Sequence, residues 1–478
     1  MSKSSVLKRR RYVKKMLLTV VMCLGIFLVM LDTTIMNIAL PAIKLGLGVS
    51  IDKLSWALNV YTIIFATFTI PLSRVADLFG RGKVFIIGLF LFGIGSLIAG
   101  FSIYFIQLII GRVISSFGAA ILLPIGNALG ISIWSIKDRF KVVAILGLTQ
   151  GGAATIGPTL GGLLTDNLSW NWIFFINLPF IIVAILILIL TYNFKTEKVF
   201  AVKIDWFGSL ISMCCLLSAV LSIVKVKDWG ISDWKTVVCV LSAFMTGVGF
   251  IHIEKRSSYP MIDLRLFSIK VFTTSTALAF IVQFFYIGVI VILPIFLTNV
   301  QGKTEFMAAL MLLPMSITVF IFGGMGSLLI NKLGPRLLVF IGLTFILFSY
   351  SLLTYINPKN NLLMILSILC LGIGFGTIAG PINVLSASNL RNEALTISQS
   401  IISVVRQIGS IFGVSVFMSI LTTHLKHLAI IDYTHILQVY QLIYQIWIIP
   451  LVVILSLSFV FPKKSDYLRK SLTVLKPH

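Results

Sequence analysis

Acidic side chains are scarce in this chain. Its 478 residues hold 15 Asp and Glu against 38 Lys and Arg, and charged residues of both signs make up only 11% of the sequence. A water-soluble globular protein carries about 25% charged residues. At less than half that share the chain lacks the polar surface to stay in water. Disorder is excluded on the opposite count, because disordered segments are poor in hydrophobic residues. Here these are 58%, and the mean hydropathy is +1.06. Cysteines are few. Cys23, Cys214, Cys215, Cys239 and Cys370 all lie in apolar runs, without the loop spacing of a metal site or a disulfide framework. The histidines, His252, His424, His427, His435 and His478, fall at segment ends, in a loop or at the tail, and no HExxH, nucleophile elbow or phosphate loop is present. No metal, cofactor or enzymatic activity is therefore expected. A selectivity-filter string or an acidic ring, as a channel would need, is also missing.

What is present is apolar length. A membrane-spanning helix needs about 20 residues. Fourteen apolar segments can be read, at 16–39, 51–73, 84–101, 104–130, 141–165, 172–192, 206–224, 235–253, 271–298, 304–330, 337–355, 362–385, 398–422 and 439–461. The first follows a basic start, Lys8 to Lys15, but is too long for a signal peptide and reads as a retained span. The fold class expected is an all-α polytopic membrane protein in the lipid bilayer.

The net charge of +23 then concerns orientation rather than nucleic acid. With the N-terminus inside, 28 of the 38 Lys and Arg fall in inner segments and 8 in outer ones, while Arg112 and Arg406 lie within spans. Basic residues collect in cytoplasmic loops. Both termini are expected in the cytoplasm, with the chain in the cell membrane and no nucleic-acid partner.

The spans repeat. Pro41 matches Pro294 at an offset of 253, and Asp77-Leu-Phe-Gly80 matches Asn331-Lys-Leu-Gly334 at 254. Pro124 matches Pro381, and Gln150 matches Gln407, both at 257. A nearly constant offset implies two parallel six-helix halves. The expected organisation is a six-helix bundle at 1–200, two inserted spans at 201–262 and a second bundle at 263–478.

Asp32 alone among the acids falls clearly within a span. A charge at mid-helix costs about 2.5–3.5 kcal/mol on insertion scales. Asp32 either exchanges a proton during a transport cycle or pairs with Arg112 as helix glue. Arg406, in SVVRQIGS, reads equally as a packing residue or a functional one. The fifth span, QGGAATIGPTLGGLL, places Gly152, Gly157, Gly161 and Gly162 at helical spacing for close approach of another backbone, and Pro158 invites a bend.

These strings resemble a family. Leu31-Asp32-Thr-Thr-Ile-Met-Asn37-Ile-Ala-Leu-Pro41 is similar to the first-helix signature of fourteen-helix drug/proton antiporters, the EmrB/QacA-type members of the major facilitator superfamily. Gly157-Pro158-Thr-Leu-Gly161-Gly162 looks like their antiporter motif, and Arg112 with Gly118 like their arginine motif. Trp170-Asn-Trp172 through Pro179 and Asp205-Trp-Phe-Gly208 resemble the starts of their sixth and seventh helices. The loop SRVADLFGRGK keeps Asp77, Gly80 and Arg81 of the superfamily's gating motif. It has Ser73 in place of a Gly, and Leu78 and Gly82 in place of basic residues.

The resemblance implies a proton-driven multidrug exporter working by alternating access as a monomer, with Asp32 exchanging the proton and Arg112 biasing it. Asn37, Asn59, Tyr61, Asn127, Gln150, Gln283, Phe285, Tyr286 and Arg406 are candidates for a substrate cavity. Phe285 stands at the offset equivalent of Asp32, so the acid is not duplicated. A lipophilic monocation or neutral compound fits one acid better than a divalent cation does. A facilitator or uptake carrier of the same fold stays open as the alternative.

Overall fold

The structure is a computed structural model, describing residues 3–49, 51–135, 138–197, 205–230, 232–257, 260, 262–358, 360–387, 390, 393–426 and 433–465. Among these, the regular elements are all helical. They are α1 (Lys3–Leu47), α2 (Ile51–Phe79), α3 (Arg81–Gly100), α4 (Phe105–Ser132), α5 (Arg139–Asn167), α6 (Trp172–Phe175), α7 (Asn177–Thr191), α8 (Trp206–Trp229) and α9 (Trp234–Arg256). There follow α10 (Lys270–Asn299), α11 (Glu305–Met311), α12 (Leu313–Leu333), α13 (Pro335–Leu353), α14 (Asn361–Ser386), α15 (Glu393–Lys426), α16 (Tyr433–Gln445) and α17 (Ile448–Leu455). Short 3-10 turns follow α7, α9 and α17.

Thirteen segments among the described residues are long and apolar enough to cross a membrane. Three of them join short helices: α6 with α7, α11 with α12, and α16 with α17. The fifth expected span corresponds to α5, 29 residues long, which is not counted among the thirteen because side chains within it, those of Ala154, Thr155 and Pro158 among them, lie outside the described residues.

The chain forms two compact units. Unit 1 comprises Met1–Ala219, Cys239–Leu264 and Leu390–Val404, and unit 2 comprises Val220–Val238, Arg265–Asn389 and Val405–His478. In unit 1, α4 is the central helix, packed against α1, α2 and α3, while α1 also packs against α5 and α7. In unit 2, α14 is central in the same way, packed against α10, α12 and α13. The two glycines of the sequence repeat form the same kind of turn. Gly80 (φ 108°) joins α2 to α3, and Gly334 (φ 86°) joins α12 to α13. Both backbones lie where a β-carbon is penalised.

The helices are sided by what they touch. On α3, Ile87, Phe90, Ile94 and Leu97 form an exposed apolar stripe, whereas Phe85, Gly88, Phe92 and Gly95 are buried. Exposed apolar stripes of this extent belong against lipid. The buried side meets α4 nearly backbone to backbone. A β-carbon built on Gly111 would lie 2.6 Å from the Ala99 amide nitrogen, and one on Gly118 would lie 2.6 Å from that of Phe92. Membrane helices gain little from burying apolar surface against each other, so van der Waals approach of this kind holds them together. Prolines inside α2, α4, α10 and α14 do not end these helices, because neighbouring helices can satisfy the freed carbonyls.

Gly111→Val is expected to push α3 from α4 and destabilise the protein by about 1–3 kcal/mol, the usual range for overpacking. Thermal unfolding in detergent, compared with a lipid-facing control such as Ile94→Val, measures it.

Candidate functional site

Asp32 on α1 and Arg112 on α4 are both 1% exposed. The α1–α4 packing brings them together, and Arg112 Nη1 donates to Asp32 Oδ2 at 2.6 Å. Two further contacts orient the guanidinium. Its Nε donates to the Ala57 carbonyl at 3.4 Å, and its central carbon lies 4.2 Å from the Tyr61 ring centroid. Cation–π attraction is stronger where water is excluded. Tyr61, expected from the sequence as a cavity residue, is thus a support for Arg112. The second oxygen of Asp32, Oδ1, and the Tyr61 hydroxyl are buried and have no hydrogen-bond partner among the described residues. Asp32 is therefore held by a hydrogen bond through one oxygen only.

The fifth-span motif touches the first-span motif. Gly157 of α5 faces Thr34 of α1, and a β-carbon there would collide with the Thr34 hydroxyl. Thr34 in turn donates to the Met30 and Leu31 carbonyls, each at 3.0 Å. The glycine thus allows α5 to seat against the helix turn that carries Asp32. Gly161 and Gly162 are buried and Gly152 is half-buried. The side chains of Pro158 and Asn37 lie outside the described residues. Gln150 of α5 donates to Asn127 of α4 at 3.4 Å, which brings together two of the expected polar residues, and Asn59 on α2 is half-buried.

A second buried polar cluster forms around the turn between α2 and α3. Arg81 Nε donates to Asp77 Oδ1 at 2.8 Å, and the Thr396 hydroxyl donates to the same oxygen at 3.1 Å. One helical turn away the Ser400 hydroxyl donates to Ser73 at 2.6 Å. Ser73 and Asp77 on α2, and Thr396 and Ser400 on α15, share an i, i+4 spacing, so the two hydrogen bonds fix one register. Ser73 departs from the resembled motif, and its hydroxyl is what gains the Ser400 bond.

Gly82, another departure, lies at the start of α3. Its amide donates to Glu197 at 2.5 Å, and the Tyr192 hydroxyl donates to the same oxygen at 2.7 Å. The carboxylate sits where the helix dipole favours negative charge. Glu197, Tyr192, Thr396 and Ser400 were not singled out by sequence reasoning. They lie 115 or more residues from their partners or, for Tyr192, in an unremarkable segment end, so no local signal marks them.

In unit 2, Gln283 donates to Ser410 at 3.0 Å, and Tyr286 stacks on Phe375 with ring centroids 3.9 Å apart. Phe285 is buried among Phe284, Tyr350 and Trp447, and its carbonyl accepts from Tyr350 at 2.7 Å. Arg406 donates to the Ala379 carbonyl at 2.9 Å. These four residues lie in unit 2, whereas Asp32, Arg112, Tyr61, Asn127 and Gln150 lie in unit 1.

Comparison with known proteins gives a consistent family. The Major Facilitator Superfamily profile matches residues 22–414. The multidrug resistance protein Stp of Mycobacterium tuberculosis is 30% identical over 406 residues, which is 84% of this chain and 75% of Stp. Multidrug resistance protein 3 of Bacillus subtilis is 29% identical over 405 residues, 84% of this chain and 78% of the relative. Among solved structures, the human organic anion transporter MFSD10 aligns with a TM-score of 0.65 at 14% identity, covering 91% of this chain and 99% of that one. The proton:xylose symporter XylE aligns at 0.61 and 16% identity, covering 92% and 95%. At these identities the structures speak for the fold alone.

Two measurements follow from the geometry. Removing one member of a buried ion pair leaves an uncompensated charge at a cost of about 3–5 kcal/mol. Asp32→Asn and Arg112→Gln are each expected to lower the thermal unfolding midpoint. The double variant should recover much of the loss, and strict additivity would show that the pair carries no coupling. In the turn cluster, Gly82→Arg restores the basic residue of the resembled motif. It is nevertheless expected to destabilise, because its β-carbon collides with Tyr192. A gain in unfolding temperature would contradict the packing described.

Proposed function

The chain belongs to the major facilitator superfamily and is a multi-pass membrane transporter rather than an enzyme; from that premise we propose that it is a proton-coupled exporter of lipophilic drugs or toxic compounds. The observation that carries the reading is the buried Asp32 carboxylate, paired with Arg112 through one oxygen and unpaired at the other. Protonation at the free oxygen would discharge the pair, and Arg112 would keep the Ala57 carbonyl and the Tyr61 ring as partners. Loss of the proton would restore the pair. The site thus has two states that differ by one proton, without leaving the guanidinium bare in either. Relatives named for multidrug resistance in two bacteria support drugs as the cargo class.

The finer reading keeps fourteen spans of the EmrB/QacA type, with both termini cytoplasmic, in the cell membrane. The halves are 1–200 and 263–478, with 201–262 inserted, and the chain acts as a monomer. The glycines of α5 against α1 would be the surface that shifts during the cycle, and the cluster of Asp77, Gly80 and Arg81 would gate it. Asn37, Asn59, Asn127, Gln150, Gln283, Phe285, Tyr286 and Arg406 are kept as residues facing the cargo. Inflow of one proton carries one charge down the potential, about 2.3 kcal/mol per 100 mV. That supports roughly a fiftyfold gradient of a neutral substrate.

The test is a susceptibility panel of lipophilic compounds on cells expressing the chain or its Asp32→Asn variant, with proton release followed in inverted vesicles. Resistance to at least one compound is expected, lost in the variant, with substrate-dependent proton efflux. Resistance that survives Asp32→Asn would remove the carboxylate from the coupling step. Accumulation of compounds in the cells would point to an uptake carrier instead.

A further inference from the structure

Outside the proposed transport machinery, Arg9, Arg10 and Lys14 gather basic charge near the start of α1. The helix begins at Lys3, ahead of the apolar stretch that starts at Tyr12. No acid occurs in the sequence before Asp32. Beside α1 runs the end of α7, and between them lies a groove of about 500 Å³. Arg9, Arg10, Lys14, Val13, Leu17, Leu190 and Thr191 line it.

Arg10, Val13, Lys14 and Leu17 fall at successive i, i+3 and i+4 positions, so they form one stripe of the helix. The cations sit toward the helix start, and the apolar side chains run from there into the spanning stretch. All three apolar residues are exposed, Leu190 at 83%. None of the three cations belongs to an ion pair among the described residues. Lys15, one position further round, is instead placed over the Trp134 ring at 5.7 Å.

A ligand matching this surface needs an anionic group joined to an apolar tail, presented at the membrane boundary. We propose that the groove binds one anionic phospholipid, its phosphodiester held by Arg9, Arg10 and Lys14 and an acyl chain laid along Val13, Leu17 and Leu190. A zwitterionic lipid fits less well, because its ammonium group would face three cations. A free phosphate compound would leave the apolar wall uncovered. The proposal does not depend on what the protein transports or in which direction.

Native mass spectrometry of the full chain released from detergent tests it, with phosphatidylglycerol and phosphatidylethanolamine titrated separately. One phosphatidylglycerol should be retained in preference to phosphatidylethanolamine. A variant with Arg9→Gln, Arg10→Gln and Lys14→Gln should bind it about a hundredfold more weakly, at about fivefold per basic residue near an anionic group. Leu17→Trp keeps every charge, fills the groove and should also weaken retention. It separates a built site from diffuse attraction, and it covers the case where the triple variant inserts poorly. Glycerol phosphate should not displace the lipid. Equal retention of the two lipids, unchanged retention in Leu17→Trp, or displacement by glycerol phosphate would each overturn the proposal.

Discussion

Two opposite charges 2.6 Å apart, both withdrawn from water, set the terms for the rest of unit 1. Neither Asp32 nor Arg112 is affordable alone in an apolar bundle, and the pair is stable only while α1 and α4 hold it together. The surrounding side chains serve that requirement. Tyr61 and the Ala57 carbonyl, both on α2, occupy the rest of the guanidinium. Gly157 lets α5 rest on Thr34, two residues from Asp32. Small residues between α3 and α4 fix the axis on which Arg112 stands. The cost of misplacing one charge is therefore shared among five helices, which gives the site a defined geometry in a medium that supplies little driving force for packing.

The same economy explains the turn between α2 and α3. Polar groups there are buried at a helix junction, and each finds a partner far away in sequence: Asp77 with Thr396, Ser73 with Ser400, the Gly82 amide with Glu197. The motif this loop resembles relies on more basic residues. Here two of them are absent, and hydroxyls and one carboxylate take over the hydrogen bonding. Gly82 is better understood as the residue that admits Tyr192 than as a lost cation.

Much of the architecture was legible because the bilayer imposes strong rules on composition. Only helices and closed barrels satisfy backbone polar groups in lipid, and a continuous apolar run of about 20 residues fits a helix rather than a barrel strand, so such runs predict helices, and nearly every segment read from the sequence coincides with one. The turns at Gly80 and Gly334 were visible as a repeat because each needs a backbone that few residues adopt. The segment read at 141–165 coincides with α5, a helix of 29 residues.

The sequence by itself determined that this is a helical membrane protein, that its basic residues are unevenly distributed, and that one carboxyl group lies inside a span. Those features depend on local composition and on the price of charge in lipid. Only the tertiary structure decided that Arg112 is the partner of Asp32, that Tyr61 supports the guanidinium, that Phe285 lies in an aromatic cluster, and that Glu197 closes the start of α3. Asp32 and Arg112 are 80 positions apart, and Gly82 and Glu197 are 115 apart. Such pairings arise from which helix faces meet, and no periodicity along a single helix records that.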